Sequence, residues 1–201
     1  MKSALLVVDV QNDFCPGGAL AVPKGDAIIP GINALMDRFE TVVLTQDWHP
    51  PGHCGFASSH AGRTPGDWVE MPYGPQILWP DHCVQETQGA GFHSGLRRDR
   101  VSLVQRKGWR LEIDSYSAFR ENDRITPTGL EDWLGEQGIG AITLVGLATD
   151  FCVADSAVDA AGLGFEVEVI LDLCRGIDLD GSLAASLARM QAAGVRLSQA
   201  R

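Results

Sequence analysis

Residues 141–171 read AITLVGLATDFCVADSAVDAAGLGFEVEVIL. The opening run, 141–145, is apolar without polar alternation, as in a strand buried on both faces. A turn through 147–151 follows. Residues 152–163 are then alanine-rich and stop before Gly164, which suits a left-handed helix cap. A second apolar run of strand length, 165–171, comes next. A strand, a helix and a strand in this order form a right-handed crossover between parallel neighbours.

The same alternation extends outward. Apolar runs recur at 4–10, 41–45 and 101–105, and helical spacing is predicted over 28–39, 128–137 and 182–193. The pattern predicts an α/β architecture, a doubly wound and mostly parallel sheet with helices on both faces. At 201 residues the chain is expected to be a single domain, 1–201. Residues 47–100 interrupt the pattern. They hold six of the ten prolines and all five histidines (49, 53, 60, 82 and 93) without a clear element. A stretch that long without structure of its own is often functional, so 47–100 reads as an inserted site.

Composition narrows the function classes. Hydrophobic residues at 45% and charged residues at 21% are ordinary for a globular protein, which argues against a disordered or fibrous chain. The net charge of −10, with no basic stripe, predicts no nucleic-acid partner and no anionic membrane. No apolar stretch is long enough to span a bilayer, and MKSALLVVDV is too short for a secretory signal. The five scattered cysteines form no disulfide framework, so a reducing, cytoplasmic location is expected.

In open α/β sheets ligands bind beyond the carboxyl ends of the strands. Three reactive side chains fall at such ends. Asp9 closes the run LLVVD, Lys107 follows VSLVQ, and Cys152 follows ITLVG through its turn. A cysteine on the first turn of a helix is favoured as thiolate, a carboxylate can take its proton, and a lysine can hold the anions. Singly, each has a plain alternative: a small core residue, a loop cap, a surface lysine. Their shared location is what points to nucleophilic catalysis.

A second constellation is Asp47-Trp48-His49, with His53 four residues beyond and His82 in WPDHC. In extended chain, Asp47 and His49 face one way. Carboxylate plus imidazole suits one divalent metal ion, Zn²⁺ or Fe²⁺, with Mn²⁺ also compatible. Surface histidines in a polar loop are the alternative, and His60 and His93 are left with that reading. Cys54 and Cys83 read as bystanders, while Asp67, Glu70 and Cys15 carry no assignment. Phe14, Trp79 and Tyr116 lie beside these groups in sequence and can either sandwich a flat ring or pack the core.

Taken together, VVDVQNDFCPGGALAVP, TQDWHP, WPDHCV, KG, DSYSAF and GLATDFCV resemble, in order, the motifs of the nicotinamidase/pyrazinamidase family of isochorismatase-like hydrolases. The resemblance runs from about residue 4 to the end and is least close over 58–77. It implies a six-stranded sheet and a hydrolase that converts nicotinamide to nicotinate and ammonia, commonly accepting pyrazinamide, in NAD salvage. It further implies Asp9, Lys107 and Cys152 as the catalytic triad, and Asp47, His49 and His82 as metal ligands. His53 matches a position that ligates metal in some members only. A cis peptide at Leu147–Ala148 is implied, with an oxyanion hole from the N–H groups of Ala148 and Cys152, and ring contacts from Phe14, Trp79 and Tyr116. A simple binding protein would need no nucleophile. The implied partner is a small molecule, for a monomer or small homo-oligomer.

Overall fold

The computed structural model describes residues 1–200. Strand β1, Lys2–Val8, lies in the middle of the sheet, and its last five residues are fully buried. Side chains alternate across a strand, so Ala4, Leu6 and Val8 enter one core while Leu5 and Val7 enter the other. That is why the run needs no polar alternation: both faces are covered. Each such Leu or Val contributes roughly 1.5–3 kcal/mol by leaving water.

The other strands are β2 (Thr41–Asp47), β3 (Trp68–Met71), β4 (Gly74–Ile77), β5 (Leu103–Lys107), β6 (Ile139–Leu147), β7 (Glu166–Arg175) and β8 (Arg196–Ser198). Six form one sheet in the order β5-β2-β1-β6-β7-β8, with every pairing parallel. Helix α1 (Ile29–Met36) packs on one face through Ile29, Ile32, Leu35 and Met36. Helices α2 (Leu130–Glu136), α3 (Ala154–Gly162) and α4 (Ser182–Ala192) cover the other. The doubly wound architecture expected from the sequence is thus present, with strand order reversing at β1/β6.

Two expectations change. Residues 47–100 carry a small antiparallel hairpin, β3–β4, and a short 3₁₀ turn at Ala57–Ser59. Each strand of the hairpin is only four residues long and the pair sits off the main sheet, so hydrophobic periodicity did not mark it. The helix expected from residue 152 begins as a π turn, Thr149–Val153, and becomes α-helical only at Ala154. Strand β8, three residues long, is the sixth strand that the resemblance implies, but no apolar run in the sequence located it.

Gly146 shows how tightly the central strands meet. It has φ 122°, and a Cβ there would collide with the backbone of Val8, the residue before Asp9. Among the described residues, no helix is long and apolar enough to cross a membrane. All five cysteines are free.

Candidate active site

Strand order brings the reactive side chains together. Asp47 and Lys107 are register partners at the ends of β2 and β5. Asp9 follows the neighbouring β1, and Cys152 lies on the π turn after β6. Lys107 is fully buried. Its Nζ lies 2.9 Å from Asp9 Oδ2 and 3.3 Å from Cys152 Sγ, and donates to the Ser115 carbonyl at 3.1 Å. It also donates to Asp47 Oδ1. An ammonium so deep in the protein is stable only with these anions around it: burial alone would lower its pKa, but Asp47 and Asp9 raise it well above the usual range.

Asp9 adopts a left-handed backbone (φ 48°), tolerated by Asp, and is held by Thr45. The Asp9 N–H donates to Thr45 Oγ1 at 3.0 Å, and the Thr45 hydroxyl donates to Asp9 Oδ1 at 2.5 Å. Burial pushes the Asp9 carboxyl up, Lys107 pulls it back and the Asp47 charge pushes again, leaving it at about 6. A carboxyl so placed is a base poised close to neutrality. Cys152 differs from the expectation of a helix-stabilised thiolate. Burial first, then the Asp9 and Asp47 charges, hold its thiol well above the ordinary value despite Lys107. Burial thus favours the thiol form, with the Asp9 carboxylate beside it.

Asp47 divides its two oxygens. Oδ1 takes Lys107, while Oδ2 faces His49 Nε2 at 3.6 Å and His82 Nε2 at 4.0 Å. Burial would raise this carboxyl, yet Lys107, His49 and His82 hold it well below the usual range. The Gln11 side chain clamps its backbone: Oε1 accepts the Asp47 N–H at 2.8 Å, and Nε2 donates to the Asp47 carbonyl at 2.9 Å. Both histidines are oriented through the other ring nitrogen. Nδ1 of His49 donates to the Gly108 carbonyl and Nδ1 of His82 to the Pro80 carbonyl, each at 2.8 Å. That leaves each Nε2 as the free lone pair, the usual arrangement of a metal-ligating imidazole. Gly108 must be glycine, since a Cβ would strike the His49 ring. Three buried donors within 4.8 Å of one another, with orienting partners, fit a divalent metal ion.

His53 is placed differently. Its ring lies 4.3 Å from that of His49, but Nδ1 accepts the Gly55 N–H at 3.2 Å and Nε2 faces the Ile113 carbonyl at 3.4 Å. It groups with His49 and Asp114 rather than with the Asp47, His49 and His82 set. His60 donates to the Cys54 carbonyl, and His93 accepts the Gly95 N–H. Asp67 caps a turn by accepting the Thr64 N–H, and neither it nor Glu70 joins a metal-capable cluster among the described residues.

A pocket between these groups is lined on its apolar side by Phe14, Leu20, Trp79, Tyr116, Phe151 and Ile177, and on its polar side by Asp47, His49, His82, Asp114 and Cys152. The three aromatics expected from the sequence all reach it. Trp79 meets Phe151 edge-on at 4.9 Å, and its Nε1–H donates to Tyr116 Oη at 2.9 Å. Phe151, Thr45, Gln11 and Asp114 were not singled out from the sequence. Phe151 adjoins Cys152 and Asp114 opens DSYSAF, so position could have flagged those two; only contact shows Thr45 and Gln11. The Leu147–Ala148 peptide is cis.

Residues 3–201 match the isochorismatase domain model. The chain belongs to the isochorismatase family. Within it, the chain is 54% identical over 193 residues to the nicotinamidase of Acinetobacter baylyi, covering 96% of this chain and 90% of the relative. The solved nicotinamidase/pyrazinamidase of Acinetobacter baumanii superposes with a TM-score of 0.98 at 54% identity, covering 98% and 96% of the two chains. The pyrazinamidase of Pyrococcus horikoshii, solved in complex with zinc, gives a TM-score of 0.80 at 34% identity over the whole of both chains. The chain is an amide hydrolase of the nicotinamidase branch of this family.

Proposed function

We propose that this site hydrolyses nicotinamide to nicotinate and ammonia through a thioester on Cys152, and accepts pyrazinamide in the same way. The observation that carries the reading is the buried Lys107 ammonium, 2.9 Å from Asp9 and 3.3 Å from the sulfur of Cys152, which itself lines a pocket walled by Phe14, Trp79 and Tyr116. The nicotinamidase relatives support the choice of amide.

Asp9 takes the Cys152 thiol proton as sulfur attacks the carboxamide carbon. The N–H groups of Ala148 and Cys152 receive the oxyanion. As the intermediate collapses, the C–N bond breaks and ammonia departs with the proton from Asp9. Water, giving its proton to Asp9, then attacks the thioester; the C–S bond breaks, nicotinate leaves and the thiol regains its proton. Lys107 keeps Asp9 ionised at rest and offsets the negative charge that passes between Asp9 and sulfur. Phe14, Trp79 and Tyr116 hold the ring.

Asp47, His49 and His82 would hold the divalent ion, with His53 beside them. The bound ion supplies a positive docking point for the ring nitrogen. Zn²⁺ or Fe²⁺ suits a carboxylate and two imidazoles, and Mn²⁺ is compatible. The chain acts as one catalytic domain in a reducing cytoplasm, in NAD salvage, with 47–100 supplying the metal and substrate side.

The test is ammonia release from nicotinamide by the metal-loaded protein, beside Cys152→Ala, with and without a chelator. Rapid acid quench and mass spectrometry of the Cys152 peptide should reveal the nicotinoyl adduct in wild type alone. Full activity in Cys152→Ala would overturn the thioester route, and no release by wild type would overturn the substrate.

A further inference from the structure

The hairpin β3–β4 lies in the stretch least like the family motifs, and one of its buried side chains backs the wall of the substrate pocket, against Tyr116 and Asp114. Gln76, on β4, is 2% exposed. Its Nε2 donates to Asp114 Oδ2 at 2.8 Å and to its neighbour's carbonyl, at Ile77, also at 2.8 Å. It lies 3.2 Å from Tyr116 Oη, the long arm of a shared contact, because two hydrogens serve three acceptors. Gln76 Oε1 accepts from Asn122 Nδ2 at 3.1 Å and from the Tyr73 hydroxyl at 3.3 Å. The amide cannot be turned over, since that would set its oxygen against the Asp114 carboxylate.

The consequence falls on Tyr116. Two N–H donors point at its oxygen, Nε1 of Trp79 at 2.9 Å and Nε2 of Gln76. Neither can accept a proton, so the Tyr116 hydroxyl hydrogen is turned away from both. Among the described residues, no acceptor for it is found within hydrogen-bond distance. Burial and the Asp114 charge hold the phenol well above its usual pKa, so the hydrogen stays on. Tyr116 lines the substrate pocket.

We propose that Gln76 is a positioning residue for the substrate: it satisfies Asp114 and thereby keeps the Tyr116 hydroxyl free as a donor to an acceptor atom of the bound amide. Without Gln76, Asp114 Oδ2 loses its donor, and the O–H of Tyr116, whose oxygen shares Gln76 Nε2 with that carboxylate, is a donor able to take its place. Tyr116 would then turn to the carboxylate and away from substrate. The proposal rests on the amide-hydrolase reading above and deepens it: the pocket selects flat amides that present an acceptor to Tyr116 as well as a ring to the aromatics.

The test is steady-state kinetics of the metal-loaded enzyme with nicotinamide for Gln76→Met, Tyr116→Phe and the double variant. Each single change should raise KM about tenfold, the worth of one hydrogen bond to substrate, with kcat within about twofold. The double variant should be no worse than either single one, because both remove the same donor. A hairpin merely loosened by Gln76→Met would instead give additive effects in the double variant, and that result overturns the proposal. Tyr116→Phe deletes a single oxygen and keeps the ring, so it decides the matter even if Gln76→Met does not fold: an unchanged KM means that no hydroxyl reaches the substrate. Lack of turnover by wild type would instead remove the functional reading on which the proposal stands.

Discussion

Replacing Asp9 by asparagine should stabilise the metal-free protein while abolishing its activity. Asp9 is sealed from solvent, and its carboxyl is lifted from 3.8 to about 6, chiefly by burial. Above pH 6 the group is ionised in both folded and unfolded chains, and the lift then costs folding about 3 kcal/mol. As pH falls below 6 the folded state takes up a proton that the unfolded chain does not yet bind, and the penalty shrinks, reaching zero below 3.8. At pH 5 about half of it remains. Asparagine removes the ionisable group but turns an NH₂ toward the Lys107 ammonium, which takes back part of the gain. The net expectation is a stabilisation of about 1–3 kcal/mol at pH 7.5, a rise in melting temperature of roughly 3–10 °C for a chain of this size. Thermal unfolding of chelator-treated wild type and variant, followed by circular dichroism at pH 7.5 and pH 5, measures it. The advantage must narrow at the lower pH. A variant that melts below wild type at pH 7.5, or an advantage that widens as pH falls, would refute the argument that burial of this carboxylate is unfavourable. Ammonia release by the metal-loaded variant should fall by about 10³-fold, the range expected for loss of a general base.

Other consequences follow from single contacts. Thr45→Val deletes a hydroxyl that donates to Asp9 Oδ1 at 2.5 Å; the carboxyl should move further up, and the acid limb of kcat/KM should shift about one pH unit higher. An unmoved limb would mean that Asp9 does not set it. His82→Ala should lower metal content and affinity by a factor of ten or more, whereas His53→Ala should cost much less, because both His53 ring nitrogens are already engaged by backbone. Metal analysis after dialysis distinguishes the two, and equal losses would place His53 among the ligands. Gly146→Ala would drive a Cβ into Val8, so the variant should lose at least about 3 kcal/mol or fail to accumulate as folded protein, read by denaturant unfolding. Lys107→Met leaves Asp9 and Asp47 without their cation; a destabilisation of about 3–5 kcal/mol, relieved as pH falls, is expected in the same assay.

How much was legible in the chain differs from element to element. Apolar runs and glycine stops are local signals, and they marked β1, β2, β6, β7 and the helices to within a few residues. Strand β8 and the four-residue strands of the β3–β4 hairpin are too short to carry a period, and the hydrogen bonds of Gln76 to Asp114 and Asn122 join residues distant in the chain. The π turn at Thr149–Val153 likewise has no signature in composition.

The sequence by itself determined that Asp9, Lys107 and Cys152 each follow an apolar run at the carboxyl end of a strand, because such runs are local signals; that Asp47 closes a strand as well came from the structure. Only the tertiary structure decided that those ends are adjacent, since the order β5-β2-β1-β6 depends on how the crossovers close. It also decided the division of Asp47 between Lys107 and the histidines, and the thiol form of Cys152. Charge states in a buried site depend on distances of a few ångströms between groups far apart in the chain, such as Asp9, Lys107 and Cys152, and no local pattern encodes them.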